Sequence, residues 1–237
     1  MCWSANASLS SFIIGWCLSI VLIIRNKPMD RIWGIFFMFV TTMQLLEFLI
    51  WLDQPEKGST DCKSGKYKGN LNNISSQIAS IQNLLQPVMG GVLALIFLPS
   101  DKLLYSPVIL GIVIAVYFSA IVIWIFQQKL YKKKLCTIPC GETGCNNHHL
   151  QWQWTTDNFA GKYIWYGYFI SLLLVLIALT KTKGGLYLTL FLLITCAMAA
   201  FIYPFKKAAG SWWCVAAIAG PLLKLIIPSE NLLQNVV

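Results

Sequence analysis

The sequence predicts an all-α fold: a polytopic integral membrane protein built as a bundle of seven transmembrane helices. Composition is the first observation. Of 237 residues, 57% are hydrophobic and only 11% charged, where a soluble domain carries charge on about a quarter of its residues. Mean hydropathy, at +0.65, points the same way. The third observation is seven stretches, 9–24, 32–52, 76–98, 103–128, 159–180, 184–205 and 210–227, each close to the run of about 20 apolar residues that crosses a hydrocarbon core of roughly 30 Å. Backbone groups in lipid must be satisfied within the segment, so single-chain spans of this length are helices rather than strands. The longest hydrophilic segments, 53–73 and 129–158, are too short to bury a core of their own. Residues 1–237 therefore read as one seven-span membrane domain.

The first stretch lacks the basic start and small-residue cleavage site of a secretory signal and reads as a retained span. In the second, Glu47 is the only acid well inside a stretch; Gln44 and Trp51 lie about one turn to either side, so the three share a face. The third opens with Gln77, Ser80, Gln82, Asn83 and Gln86, followed by Pro87 and the pair Gly90-Gly91. These three residues could bend or break the helix and free backbone groups, a device of many transport sites, although Gly and Pro are frequent in ordinary membrane helices. The fifth opens with Tyr163, Trp165 and Tyr166, and the seventh with Ser211, Trp212 and Trp213. Cys17, Cys196 and Cys214 fall in or at the edge of spans and read as small buried hydrophobes. Lys224, after Gly220-Pro221, is expected to snorkel to the near interface. A lysine in the last of seven helices suggests retinal, but the third span offers no acid as counterion.

Loop charge, sequons and cysteines bear on orientation. The net charge of +9 is carried by cations beside helix ends, so anchoring and topology explain it and nucleic acid is not implied. Arg25, Lys27 and Arg31 lie on one face. Lys132, Lys133, Lys134, Lys206 and Lys207 lie on the other, and the count leans towards that second face being cytoplasmic. Against it stand two glycosylation sequons, at Asn6 and Asn73, both on the amino-terminal face, which would have to be lumenal or external. Cys2, Cys62, Cys136, Cys140 and Cys145 fall on that same face, as suits a disulfide-permissive compartment. The balance places the amino terminus outside and the carboxyl terminus inside, with disulfides among Cys62, Cys136, Cys140 and Cys145.

The connection 129–158 supports a second reading. Cys136, Cys140, Cys145, His148 and His149 form a compressed ligand set that a tetrahedral zinc could use, although structural zinc sites usually close on a second, distant pair. No cofactor is otherwise predicted. The run Leu150-Gln151-Trp152-Gln153-Trp154 that follows reads as an interfacial aromatic belt.

Polar groups inside spans carry the most functional information, because they are costly unless paired or wet. Matched depth brings Gln44, Glu47, Ser80, Asn83, Tyr166 and Trp213 towards one half of the bundle. One reading is polar glue between helices. The other is a cavity lined by amides and aromatics that binds or passes a small polar or cationic solute, making the protein a small channel, transporter or receptor. Enzyme signatures are missing: both histidines sit in one loop, the acids are scattered and no phosphate-cradling glycine loop occurs. The two halves of the chain show no repeat, which weighs against a transporter.

Four motifs carry a resemblance: the opening Met1-Cys2-Trp3-Ser4-x3-Ser8, Glu47-Phe48-x2-Trp51, His149-Leu150-x-Trp152, and Gly210-Ser211-x-Trp213-Cys214. Together they resemble an uncharacterised family of multi-span proteins of large DNA viruses and protists. The likeness implies no activity. It implies a viral or protist setting, insertion at the host endoplasmic reticulum, residence there or in a virion's internal membrane, and a structural or virion-associated role. The partners it implies are the lipid bilayer, viral capsid and other membrane proteins.

Overall fold

A computed structural model describes residues 4–54, 69–128, 137–139, 150–151, 159–202 and 209–227. Among them the chain is helical but for one short pairing. The helices are α1 (Ala5–Ile24), α2 (Pro28–Leu52), α3 (Asn70–Leu84), α4 (Gln86–Phe97), α5 (Pro107–Gln128), α6 (Phe159–Leu179), α7 (Lys183–Ile202) and α8 (Ala209–Ile226). Strands β1 (Ile138–Pro139) and β2 (Leu150–Gln151) pair antiparallel between α5 and α6. Among the described residues, three helices, α1, α2 and α5, are long and apolar enough to cross a membrane, and the bent pair α3–α4 makes a fourth if counted as one span. Within the described residues of α6, α7 and α8, the apolar stretches are Tyr163–Leu179, Lys183–Thr195 and Ala217–Ile226.

Local chemistry sets the boundaries. Ser4 caps α1, its Oγ accepting from Ala7 N at 3.2 Å, which satisfies one of the amides a helix start leaves unpaired. α1 ends in a three-residue turn whose Asn26 has φ 58°, a left-handed conformation that asparagine tolerates better than most residues. Pro28 then sits at the first position of α2, where its missing N–H costs nothing. α2 thus starts before the predicted 32, and Asp30 lies inside its first turn.

The helices α1 and α2 run antiparallel at very short range. A Cβ on Gly15 would fall 2.4 Å from Thr41 Cγ2, and one on Gly34 would fall 2.8 Å from the Ser19 carbonyl oxygen. The buried face of α1 is Ser8, Ser11, Gly15, Ser19 and Leu22. Such small residues let backbones approach in membranes, where apolar side chains gain little by leaving lipid for protein.

Helix α2 is the central element, packing against α1, α3, α4, α7 and α8, while α8 returns to touch α1 and close the bundle. The core gathers Trp33, Phe36 and Phe37 of α2, Leu93 of α4, Leu172 and Val175 of α6, and Leu188 and Leu192 of α7. Outward-facing positions are apolar too, among them Val108, Ile112, Val116 and Phe126 along α5. So extensive an apolar exterior is a lipid-facing surface rather than a wetted one.

The stretch predicted as the third span forms two helices, α3 and α4. α3 and α4 meet at Leu85 at 50°, where Pro87 removes a backbone donor. The glycines do not break the helix. They admit neighbours: Gly91 faces Ile114 of α5 and Gly90 faces Val175 of α6. The predicted fourth span begins later, at Pro107, after a 3₁₀ turn at Ser100–Lys102. Leu104 N donates to Ala178 O at 2.9 Å and Trp33 Nε1 to Gly184 O at 3.3 Å. These bonds put the α4–α5 and α6–α7 connections at the same end as the α1–α2 turn.

Candidate functional site

Three polar assemblies are built into the described bundle, at its two ends and at the α3–α4 bend. The first lies where α1 ends, α2 begins and α8 ends. Asp30 divides its two carboxylate oxygens between two cations: Arg25 Nε is 3.1 Å from Oδ2 and Lys224 Nζ is 3.0 Å from Oδ1. Arg25 Nη1 also donates to the carbonyls of Lys224 and Leu225, each at 3.4 Å. Asp30 and Lys224 are wholly buried, both 0% exposed, whereas the Arg25 side chain is 27% exposed. Each charge also suits its helix end, because an acid in a first turn and cations at a last turn complement the helix dipole.

Lys224 therefore does not snorkel. Gly220 lies one turn before it on the same face and fits against the ring of Phe37, which turns that face of α8 inward and aims the lysine at Asp30. Starting α2 at 32 leaves Asp30 in a loop, so sequence reasoning missed the acid as a partner. The available signal was an acid and a cation of opposite sign, placed by the connections at the same end of the bundle.

At the other end, Asn72 in the first turn of α3 binds the backbone of Thr137 on both sides. Asn72 Oδ1 accepts from Thr137 N at 3.0 Å, and its Nδ2 donates to Thr137 O at 2.9 Å. Ser76 Oγ and Thr137 Oγ1 are 2.7 Å apart, and Gln54 Nε2 donates to Thr137 O at 3.3 Å. Asp53 Oδ2 accepts from Asn72 N at 2.9 Å, placing a carboxylate on the α3 amino terminus. Thr137 and Leu150 are buried. Within the run predicted as an aromatic belt, Leu150 is thus a packed strand residue, held opposite Pro139.

The third assembly bridges the bend. Tyr168 Oη donates to Gln86 Oε1 at 2.7 Å, and Gln86 Nε2 donates to Asn83 Oδ1 at 3.0 Å. Tyr168, Gln86 and Asn83 are all buried. Gln82 Nε2 donates to the Phe39 carbonyl of α2, fastening α3 to α2.

The predicted cluster is partly dispersed. Glu47 is 1% exposed and takes part in an interaction. It lies on the α2 stripe Trp33, Phe37, Val40, Gln44, Glu47, Trp51, spaced by threes and fours; lower on that stripe, Trp33 meets α7 and Phe37 meets α8 and α7. Gln44 is buried, and among the described residues its Oε1 has no hydrogen-bond partner, nor does Trp51 Nε1. Ser80 Oγ bonds back to Gln77 O at 2.7 Å, and Asn83 serves the bend. Tyr166 is 62% exposed and turns outward; the inward residue of that turn is Tyr168. Trp213 falls in the first half of α8, and its side chain lies outside the described residues. So do Cys62, Cys136, Cys140, Cys145, His148 and His149. Cys17 is exposed on α1 rather than buried. Asn6 and Asn73 sit in the first turns of α1 and α3, with the sequon serines Ser8 and Ser75 buried. Between α4 and α5 a groove of about 310 Å³ is lined by Val88, Val92, Ile114 and Phe118, too apolar to hold a polar solute.

No protein family matches this chain, and no curated protein or solved structure is significantly similar to it.

Proposed function

We propose that this chain is a seven-span integral membrane protein with a structural role in its membrane, placed in the endoplasmic reticulum or an internal virion membrane of a large DNA virus or its protist host. The observation that supports the role is where the polar groups go. Asp30 with its two cations, Asn72 with Thr137, and Gln86 with Tyr168 each tie one helix or connection to another, as glue does, rather than lining a path. Protease protection of terminal tags in sealed microsomes tests the span number and orientation. Seven spans with the amino terminus lumenal leave only the carboxyl-terminal tag open to added protease. Recovery of the protein from purified, protease-shaved particles tests the virion location, and its exclusion from them removes that part of the proposal.

A second reading has one observation in its favour. Gln44 Oε1 and Trp51 Nε1 are buried polar atoms without hydrogen-bond partners among the described residues, on the same stripe as Glu47, and unpaired buried groups of that kind call for an explanation such as a bound solute. A polar or cationic solute would meet them there. In proteoliposomes, Glu47→Gln should then abolish cation binding or flux while leaving the fold intact, and no uptake by the wild-type protein of small cations sinks this reading.

A further inference from the structure

The ion cluster at the α1–α2 turn points to how the bundle is assembled. As a sequence, α8 is a poor candidate to enter a membrane unaided. Its 18 residues hold Pro221 beside Gly220 and a lysine, Lys224, a charge that is costly inside a span. By contrast, α1 and α2 have mean hydropathies of 2.3 and 1.9 over their best windows, enough to insert on their own. They also precede α8 by most of the chain.

The hairpin they form carries its acid in a half-satisfied state. Arg25 sits five residues from Asp30 and occupies Oδ2, so the pair can form as soon as the turn does. The other oxygen, Oδ1, faces Lys224 Nζ, from the far end of the sequence. Of the remaining charges at this end, Arg31 is engaged by Asn26 Oδ1 and lies over the Phe97 ring. Lys181 donates to the Asp101 carbonyl, and Lys102 and Lys183 are exposed. Lys27 belongs to the turn itself and is partly buried. Among the described residues, Asp30 is the carboxylate that meets Lys224.

We propose that Asp30, held by Arg25, is a docking post for Lys224, and that this contact draws α8 across the membrane and fixes its seating against α1 and α2. The lysine that disfavours insertion of α8 alone then becomes the residue that selects its place. Once seated, Gly220 accepts the Phe37 ring and Arg25 caps the last carbonyls of α8, so charge pairing and packing act at the same contact.

This rests on the seven-span reading, and the test separates the two. Full-length chains are made in microsomes with one reporter tag at each terminus, and the side of each tag is read by protease protection. Wild-type termini should lie on opposite sides; termini on one side overturn the seven-span reading itself. Given opposite sides, Asp30→Leu should move the carboxyl-terminal tag to the amino-terminal side in roughly half of the chains or more, because Lys224 loses its partner. Asp30→Leu combined with Lys224→Leu should return it to the wild-type side. An unmoved tag in Asp30→Leu overturns the docking post. So does a moved tag that the double variant does not restore, since that would mark Asp30 as needed for folding rather than for receiving the lysine.

Discussion

Replacing Gly15 by alanine should destabilise the bundle although alanine is the better helix former. The added Cβ would lie 2.4 Å from Thr41 Cγ2, more than 1 Å inside the separation of about 3.5–4.0 Å at which carbon atoms rest. Thr41 cannot turn aside, because it is buried with its hydroxyl donating to Phe37 O at 2.7 Å and lying 3.1 Å from Met38 O. The helices must part instead, at the cost of roughly 1–3 kcal/mol usual for overpacking. Against this, Gly to Ala in a helix gains about 1 kcal/mol, so the net loss falls in the range of about 0–2 kcal/mol, centred on about 1. Thr41→Ser removes the clashing methyl and keeps the hydroxyl. The nearest atom is then Thr41 Cβ at 3.1 Å, and the pair Gly15→Ala with Thr41→Ser should recover most of the loss. Thermal retention of folded protein in mild detergent, measured for both single variants and the double, gives the coupling directly. Strictly additive effects, or a Gly15→Ala protein more stable than wild type, would refute the close approach of α1 and α2. Gly34→Ala offers a contrast: its nearest obstacle includes the Ser19 carbonyl oxygen at 2.8 Å, so trimming a side chain should not rescue it.

Tyr168→Phe should cost about 1–3 kcal/mol by leaving Gln86 Oε1 buried without its donor, while Tyr166→Phe, on the exposed side of the same turn, should stay within about 0.5 kcal/mol; equal thermal shifts would mean the bend is not held by this bond. Asn72→Asp turns the donor facing Asp53 O at 3.0 Å and Thr137 O at 2.9 Å into an acceptor. It should expose the 129–158 connection to limited proteolysis well before wild type, and an unchanged cleavage rate would contradict the clamp. Glu47→Gln should preserve the fold because the amide still hydrogen-bonds. Glu47→Leu should lower stability by about 1–3 kcal/mol as its partner is left unsatisfied, and indistinguishable melting of all three proteins would remove Glu47 from any structural account.

The helices were legible because apolar length is a direct physical requirement of crossing lipid, and most predicted and observed boundaries fall within a few residues of each other. Where they differ, short-range chemistry outweighed hydropathy. Pro28 starts α2 early, the polar turn at Asn70 extends α3, and Pro107 delays α5. Depth matching was less informative. Gln82 of α3 reaches the Phe39 carbonyl of α2, but side chains reach only neighbours on their own stripe. Gln86 thus found Tyr168, not Tyr166, and Ser80 bonded within its own helix. The ion cluster was out of reach for a different reason. It joins residues some 200 positions apart, by the 199-residue separation of Arg25 and Lys224, and no local pattern marks such a pair. The α1–α2 contact left a trace that could have been read, in the spacing of Ser8, Ser11, Gly15 and Ser19.

The clamp on Thr137 also joins parts of the chain that are far apart in sequence. Gln54, at the end of α2, and Asn72, at the start of α3, both bond to Thr137, which follows them by 83 and 65 residues. The end of α2, the start of α3 and the chain ahead of β1 therefore share one fixed point made of amide side chains and a single backbone peptide. A displacement of either helix end at this point is passed to the strand pair through hydrogen bonds, with no apolar contact needed to carry it.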